Sequence, residues 1–393
     1  MSFNLVISFT TVIAILLSSV FAVIIIMLNI ICRRKLTRYL HDLKDNKIEY
    51  TSEFPPVSVI VYSSNDEDNI IKNLPVILEQ DYQAFEVIVI NDSSTDCSKD
   101  ILLDLELKYN HLYQTFVPQN TCNLSRKKLS ITIGIKAAKY DIILSTAANC
   151  RPQGKEWLKS MMRNFTPETD IVIGYSHYRY KSDKGAGKWF RSFDTVINAV
   201  QYLSYALRKK PFRGDGNNLA YRKDVFFHNK GFSKSLNLHF GDDDLFVNEV
   251  ANHYNTAVEL SPGSQLVSYY EDIKTSNNEL KLRYGFTAKY LKTSAPLVSS
   301  FLSLLNYLFY AGIISAIATG YDNIYTVIIC SVLAISLWTV QIITYRKSAY
   351  ILQAPKLLLS IPLFFLIRPI SNIIYRIKGQ MYKKYNFTWQ RRK

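Results

Sequence analysis

The protein has 393 residues, 48% hydrophobic and only 20% charged, and its 47 lysines and arginines outnumber its 32 acidic residues to give a net charge of +15. This composition excludes a disordered chain, collagen and a small disulfide scaffold. A mean hydropathy near zero is high for a soluble protein but too low for a chain lying entirely in a membrane, so we expect apolar spans combined with one sizeable aqueous domain. The five cysteines are scattered, which fits a reducing compartment.

The first apolar segment lies at the N-terminus. The run from Leu5 to Ile31 carries no charge and is long enough for a helix to cross a bilayer core, which takes about 20 apolar residues. Because no lysine or arginine precedes it and no A-x-A site follows it, we expect residues 1–33 to be a transmembrane anchor rather than a secretory signal peptide. Positive residues stay on the cytoplasmic side, so the N-terminus is expected outside. The cations that set this orientation are Arg33, Arg34, Lys35 and Arg38.

Two further apolar runs lie near the C-terminus. Leu297 to Ala318 and Ile324 to Thr344 are joined by a short polar turn, so residues 295–347 are predicted to form a transmembrane hairpin. The next apolar stretch, Leu357 to Ile367, has Pro362 in its middle and as a helix covers about half the bilayer core. Within 348–393 we therefore expect a re-entrant or interfacial helix and a basic tail that stays inside.

These segments together predict a multi-pass protein of the inner, or plasma, membrane whose aqueous domain faces the cytoplasm. The excess positive charge flanks the membrane segments, which favours an anionic lipid surface over nucleic acid as its partner. Three spans without an intramembrane acid are too few for a transporter or a channel.

The aqueous part of the chain alternates strands and helices. Continuous apolar runs predict strands at 57–61, 85–90 and 141–144, and helical periodicity predicts helices at 65–80, 98–109 and 125–139. Apolar strands separated by helices indicate an α/β fold with a mostly parallel sheet covered by helices on both faces. In such sheets ligands bind at the carboxyl ends of the strands.

A polar loop follows each of the three predicted strands. The loops read Tyr62-Ser-Ser-Asn-Asp-Glu67, Asn91-Asp-Ser-Ser-Thr-Asp96 and Thr146-Ala-Ala-Asn-Cys150. Helix capping explains one polar residue in each loop, but three such loops at one sheet edge favour a small-molecule site. No glycine-rich phosphate loop follows any strand, which argues against an ordinary P-loop or dinucleotide fold.

Two clusters later in the domain carry further polar residues. Gly214 to Arg222 is a turn-rich loop, and Gly241-Asp-Asp-Asp244 precedes a predicted helix. Three adjacent carboxylates repel one another, so at least one pKa is expected to rise, and the helix dipole partly offsets this. A capped helix start with solvated acids is one interpretation, and a general base is the other.

Taken in order, five segments of this domain resemble the family 2 glycosyltransferases. The segments are Val57 to Ile70, Phe85 to Asp96, Lys127 to Leu144, Gly214 to Arg222 and Gly241 to Phe246. The likeness covers residues 50–290 and is closest to bacterial membrane-anchored members of polysaccharide and cell-envelope biosynthesis. It implies a GT-A nucleotide-sugar domain with a donor-binding half at 46–170 and an acceptor and catalytic half at 171–294.

The resemblance implies a role for particular residues. Asp243 would be the catalytic base, with Asp242 beside it, and Asp92 would hold the base or ribose of the donor. The other residues implied for the donor are Tyr62, Ser64, Asp66, Lys128 and Asn149. Those implied for the acceptor side are Gly214, Asn217, Asn218 and Arg283. The implied reaction is inverting transfer of a sugar from a nucleotide-sugar donor to a lipid-linked or polysaccharide acceptor, with a partner glycosyltransferase as a further expectation.

One departure from the family pattern concerns the metal. The family places D-x-D after the third strand, where this chain has Ala147-Ala148-Asn149. Mg²⁺ and Mn²⁺ prefer charged oxygen ligands, so Asn149 is left as the metal-ligand candidate. Two hypotheses follow: an active enzyme in which cations such as Arg151, Lys127, Lys128 or Arg283 steady the diphosphate, or an inactive relative that acts as a nucleotide-binding or scaffold component of a glycan-assembly complex.

Overall fold

The computed structural model of the chain describes residues 8–117, 124–182 and 187–382. It divides into two units. The helical unit consists of Met1–Leu40, Trp189–Ser204 and Thr293–Ile374, and the α/β unit consists of His41–Lys188, Tyr205–Lys292 and Tyr375–Lys393.

The α/β unit is built on a seven-stranded sheet. In spatial order its strands are β3 (Leu112–Phe116), β2 (Phe85–Asn91), β1 (Val57–Ser63), β4 (Ile142–Ala147), β8 (Leu219–Arg222), β6 (Ile171–Ile173) and β9 (Thr256–Val258). Strands β3, β2, β1 and β4 pair in parallel, β8 runs antiparallel to both of its neighbours, and β6 and β9 are parallel. The predicted α/β class with a mostly parallel sheet is confirmed.

The helices of this unit follow the strands as the sequence predicts. They are α2 (Glu67–Leu78), α3 (Ser98–Lys108), α4 (Arg126–Ala137), α5 (Trp157–Met162), α7 (Lys223–His228), α8 (Asp244–Val250) and α9 (Ile273–Thr287). The first three predicted strands and helices are all present, with shifted ends. Alternate residues of β1, among them Val59 and Val61, pack with Ile70 and Leu74 of α2 in one core cluster that also contains the fully buried Trp157.

A second sheet of three strands lies in the same unit. Its order is β5 (Cys150–Pro152), β10 (Leu266–Asp272) and β7 (Ser176–Ser182). β10 pairs antiparallel with β5 and in parallel with β7. β5 begins three residues after β4 ends. The second sheet therefore starts next to the carboxyl end of β4.

The helical unit contains residues from five helices. They are α1 (Phe9–Lys44), α6 (Lys188–Leu207), α10 (Ala295–Gly320), α11 (Ile324–Ile351) and α12 (Ile361–Met381). Within the described residues, α1, α10 and α11 are long and apolar enough to cross a membrane, and they match the three predicted spans. Small residues let α1 and α10 approach closely, since a Cβ on Gly312 would lie 2.2 Å from Ser18 Oγ.

The short helix predicted at 357–367 is wrong in its bounds. Helix α12 begins at Ile361 and has 21 residues. Pro362 lies in its first turn, where the missing N–H costs no hydrogen bond. The helix also continues through Pro369. Tyr375 and Tyr382, which belong to the α/β unit, contact Asn278 and Phe286 of α9 within that unit. The predicted basic tail beyond Tyr382 lies outside the described residues.

A glycine substitution tests the packing beside β6. A Cβ on Gly174 would lie 2.6 Å from Asn218 Cγ and 2.8 Å from the Asn218 backbone oxygen, whereas a Cβ on Gly154 would meet nothing within 4 Å. We expect Gly174→Ala to lower the free energy of unfolding by about 1–3 kcal/mol because the core must shift. Gly154→Ala is the matched control. Equal denaturation midpoints for the two purified variants would contradict the packing described here.

Candidate functional site

The carboxyl ends of β1 and β2 bring Tyr62 and Asp92 together. The Tyr62 hydroxyl donates to Asp92 Oδ2 at 2.8 Å, and Arg126 Nε donates to Oδ1 at 3.0 Å. Asp92 is buried, so its carboxylate is held in place by an ion pair rather than solvated. Sequence reasoning missed Arg126, although it begins the run Arg126-Lys127-Lys128 at a helix start.

The neighbouring loop residues organise the same edge. Ser64 Oγ donates to the Asp92 carbonyl at 3.2 Å, and Asp66 accepts from the Ser64 amide and from Asn69. Burial is the main cause that raises the pKa of Asp66. The capping interpretation holds for Asp96, which accepts from the first amides of both α2 and α3.

The acidic triplet Asp242 to Asp244 lies at the start of α8, and its first member pairs with two cations. Asp242 Oδ2 is 2.6 Å from Lys127 Nζ, and Oδ1 is 3.3 Å from Arg283 Nη2. Burial works to raise the pKa of Asp242, but Lys127 and Arg283 overcome it and hold that pKa well below its usual range. Asp242 therefore stays ionised and is a weak proton acceptor.

The other two members of the triplet have different surroundings. Asp243 caps α8 through the amide of Asp244, and its Oδ2 is 3.2 Å from Arg283 Nη2. Its side chain is 15% exposed, against 5% for Asp242 and 2% for Asp244. Asp244 accepts from Thr287 Oγ1 and lies 3.5 Å from Arg213; burial, followed by the charge of Asp243, raises its pKa. Asp243 is thus the member of the triplet that a ligand can reach most easily.

Lys127 connects the acidic triplet to the loops after β1 and β2. Its ammonium lies 5.8 Å from the centre of the Tyr62 ring and 2.6 Å from Asp242, and Tyr62 in turn binds Asp92. A continuous series of contacts therefore runs from Asp92 to Asp242 and, through Arg283, to Asp243. These contacts place Asp92 and Asp243 in one region of the α/β unit.

The loop before β8 passes beside Asp243. A Cβ on Gly216 would lie 3.0 Å from Asp243 Cβ, and Gly214 packs against Val247 of α8. Asn217 Nδ2 donates to Ser268 Oγ at 3.3 Å. Asp215, which sequence reasoning passed over, accepts from the amide and hydroxyl of Ser176, and burial raises its pKa.

Two of the predicted contact residues are buried inside the fold. Asn218 is fully buried and bonds to the backbone oxygens of Tyr175 and Ser264 and to the Trp157 indole. It therefore braces β8 instead of facing an acceptor. Lys128 was expected to contact the donor, but it is also fully buried.

The ammonium of Lys128 binds backbone instead of a diphosphate. Its Nζ donates to the carbonyl oxygens of Ser235, Leu238 and Phe240 at 2.6, 3.3 and 2.9 Å. Burial lowers its pKa to about 8. The residue type alone does not show whether a lysine is buried. The three carbonyl acceptors lie more than 100 residues further along the chain, so the local sequence does not reveal them.

The residues at the carboxyl end of β4 do not fit a divalent metal. Ala147 and Ala148 offer no side-chain oxygen, and Asn149 Nδ2 donates to the Tyr269 carbonyl at 3.0 Å. Among the residues that the structure describes, no group of three histidine, cysteine or acidic side chains is arranged to hold a metal. Hard cations need several oxygen ligands, so Asn149 alone does not make a site.

Comparison with known proteins relates the chain to sugar-transferring enzymes. The sequence model of "Glycosyl transferase family 2" matches residues 58–238. Glycosyltransferase AglE of Haloferax volcanii is 25% identical over 149 residues, which are 37% of this chain and 47% of AglE. The chain thus spans about half the length of this curated relative.

A solved structure shares the fold over nearly the whole chain. Mannosyltransferase PcManGT from Pyrobaculum calidifontis, in complex with GDP-Man and Mn²⁺, has a TM-score of 0.53 and 14% identity, and the match covers 91% of this chain and 99% of that one. At this identity the likeness concerns the fold alone.

Lys128→Met tests the buried ammonium. It leaves three backbone carbonyls without their donor, each of which costs about 1–3 kcal/mol when buried, so we expect a clear loss of stability. The folded pKa of about 8 lies below the unfolded value of about 10.4. Between these values the unfolded chain binds more protons at this lysine, so its contribution to stability rises with pH.

The measurement is denaturant unfolding of wild type and variant at pH 7.5 and pH 10. We expect the stability difference between them to grow at the higher pH. Lys136→Met, an exposed lysine on the same helix, serves as the control and should leave the midpoint unchanged. A Lys128→Met protein as stable as the control would show that these hydrogen bonds are dispensable.

Proposed function

We propose that the protein, whose residues 58–238 match the sequence model of glycosyl transferase family 2, is a membrane-bound inverting enzyme of that family. It transfers a sugar from a nucleotide-sugar donor to a lipid-linked or polysaccharide acceptor. The observation that carries the proposal is the series of contacts from Asp92 through Tyr62 and Lys127 to the acidic triplet. In this proposal residues 46–170 bind the donor, and residues 171–294 supply the acceptor side and the catalytic acids.

Asp243 is the general base of the proposed reaction. It is the most exposed acid of the triplet, whereas Asp242 is paired with two cations and Asp244 is buried against Thr287 and Arg213. An acceptor hydroxyl gives its proton to Asp243 as its oxygen bonds to the anomeric carbon. The bond from that carbon to the nucleoside diphosphate breaks on the opposite side, and the configuration inverts.

Fixed cations replace the metal in this proposal. Lys127 and Arg283 lie beside the acids, and both are partly exposed. Protonation of Asp243 removes one of the two carboxylates that neutralise Arg283. The guanidinium then carries uncompensated positive charge as the diphosphate leaves, which is the charge that a preorganised site has to stabilise.

The membrane helices support the proposed setting. Three described helices are long and apolar enough to cross a membrane, and the cations after the first of them favour a cytoplasmic α/β unit, an outside N-terminus and a plasma-membrane location. Donor sugars occur in the cytoplasm as nucleotide conjugates, so this orientation brings the site to its substrate. A partner glycosyltransferase and a role in cell-envelope polysaccharide synthesis belong to the same proposal.

The missing metal ligands favour a second function. Without carboxylates at Ala147 and Asn149, the chain could bind a nucleotide without turning it over and act as a scaffold of a glycan-assembly complex. Calorimetry with a panel of nucleoside diphosphates and nucleotide sugars, with and without Mg²⁺, tests binding and metal use together. A nucleotide sugar that binds but is never consumed would favour the scaffold.

Asp243→Asn tests the assignment of the base. We expect turnover to fall by about 10²–10⁴-fold because an amide takes up no proton, while nucleoside diphosphate affinity changes little. Asp224→Asn, an exposed acid at the start of α7, is the matched control. Radiolabelled sugar transfer gives the rate and calorimetry gives the affinity. Full turnover in the Asp243 variant would remove it from this role.

Chelation tests the proposed metal independence. We expect EDTA to reduce turnover by less than about tenfold, since losing a metal that a reaction needs costs several kcal/mol. Strong stimulation by Mn²⁺ that disappears on replacing Asn149 would instead show that this residue is a ligand. The double variant Ala147→Asp, Asn149→Asp separates the two functions. If the wild type shows no turnover and the double variant does, the result supports the scaffold function.

A further inference from the structure

The three-stranded sheet carries three tyrosines on one face. In the parallel register of β7 and β10, Ser268 is opposite Tyr178 and Tyr270 is opposite Tyr180. Side chains alternate between the faces of a strand and paired residues share a face, so Tyr178, Tyr180 and Tyr270 lie together. Arg179 and Lys181 alternate to the other face.

Ring contacts agree with this register. The ring centroids of Tyr178 and Tyr270 are 5.1 Å apart in an edge-on arrangement, and those of Tyr180 and Tyr270 are 6.4 Å apart. All three side chains are half-buried. They therefore form a rigid aromatic surface, here called the tyrosine face, which keeps part of its area exposed.

The polar loop beside Asp243 contacts the same face. On β7 Ser176 binds Asp215, and on β10 Ser268 binds Asn217; both serines share the face of the tyrosines by register. Gly216, between these two loop residues, packs against Asp243. Residues 215–217 therefore connect the proposed catalytic base Asp243 to the tyrosine face.

We propose that the tyrosine face binds a pyranose ring of the acceptor glycan. The apolar C–H side of a sugar packs on aromatic rings, while its hydroxyls need polar groups such as those of Asp215 and Asn217 at the edge. This proposal rests on the proposed function, and it deepens that function by giving the acceptor a sugar residue next to the attacking hydroxyl.

The surroundings favour an uncharged sugar over the nucleotide. The lysine and arginine of β7 alternate to the opposite face, so a diphosphate finds no strand cation on the tyrosine face. On the proposed donor side, Arg126 and Lys127 pair with Asp92 and Asp242. An acceptor ring and a donor diphosphate would therefore occupy separate surfaces that meet at Asp243.

Saturation-transfer NMR on the full-length protein tests the tyrosine face directly. The probes are the methyl glycosides of glucose, galactose and mannose, in a detergent without a sugar headgroup. We expect saturation of ring C–H protons for at least one glycoside. Tyr178→Leu and Tyr180→Leu should each weaken binding by about 3- to 10-fold, the effect of losing one aromatic contact, and Tyr178→Phe should retain most of it.

Tyr113→Leu is the matched control, because Tyr113 is an exposed tyrosine on β3 of the other sheet. Nucleoside diphosphate calorimetry on every variant reports on folding and on the donor site. The inference is overturned if no glycoside receives saturation from the wild type, or if the Tyr178 and Tyr180 variants bind as the control does. If the wild type binds glycosides but no nucleoside diphosphate, the proposed donor site is overturned and the tyrosine face is not.

Discussion

The α/β unit depends on cations that neutralise the negative charge of three consecutive carboxylates. Asp242, Asp243 and Asp244 are largely buried, and uncompensated they would repel one another strongly in a medium of low polarity. Lys127 and Arg283 bind the first two, while Arg213 and Thr287 bind the third. Removing one partner of a buried ion pair typically costs about 3–5 kcal/mol, so these cations cannot be exchanged freely.

Under the proposed function, that compensation changes what the site needs from a metal. A divalent cation would bring positive charge to the acids and the diphosphate, but the acids already have fixed cations beside them. Ala147 and Ala148 have no carboxylate, and the side chain of Asn149 is bonded to backbone, so the end of β4 carries no excess negative charge. The two observations are therefore consistent with each other: where the protein supplies the cations, the D-x-D acids would add unpaired negative charge.

Much of this arrangement could be predicted from the sequence, and the exceptions have a common physical cause. Apolar runs predicted three of the seven strands of the large sheet. The polar residues after them pointed to Tyr62 and Asp92 at one edge, and the family resemblance pointed to Asp243. Lys128 and Asn218 were misjudged because burial depends on segments far away in the chain, which local patterns do not report. Arg126 and Asp215 were overlooked for the same reason, since their partners come from other loops. The bounds of α12 differ because the apolar run 357–367 does not show where the helix starts and ends; α12 begins at Ile361 and continues to Met381.

The first turn of α4 explains how the separate parts of the site keep their geometry. Successive helical residues point about 100° apart, and here three consecutive cations reach three different places. Arg126 binds Asp92, Lys127 binds Asp242, and Lys128 binds the carbonyls of the segment that leads into the acidic triplet. A helical turn is rigid because its backbone is hydrogen-bonded internally. Asp92 and Asp242 are consequently both held by cations of one short helical turn.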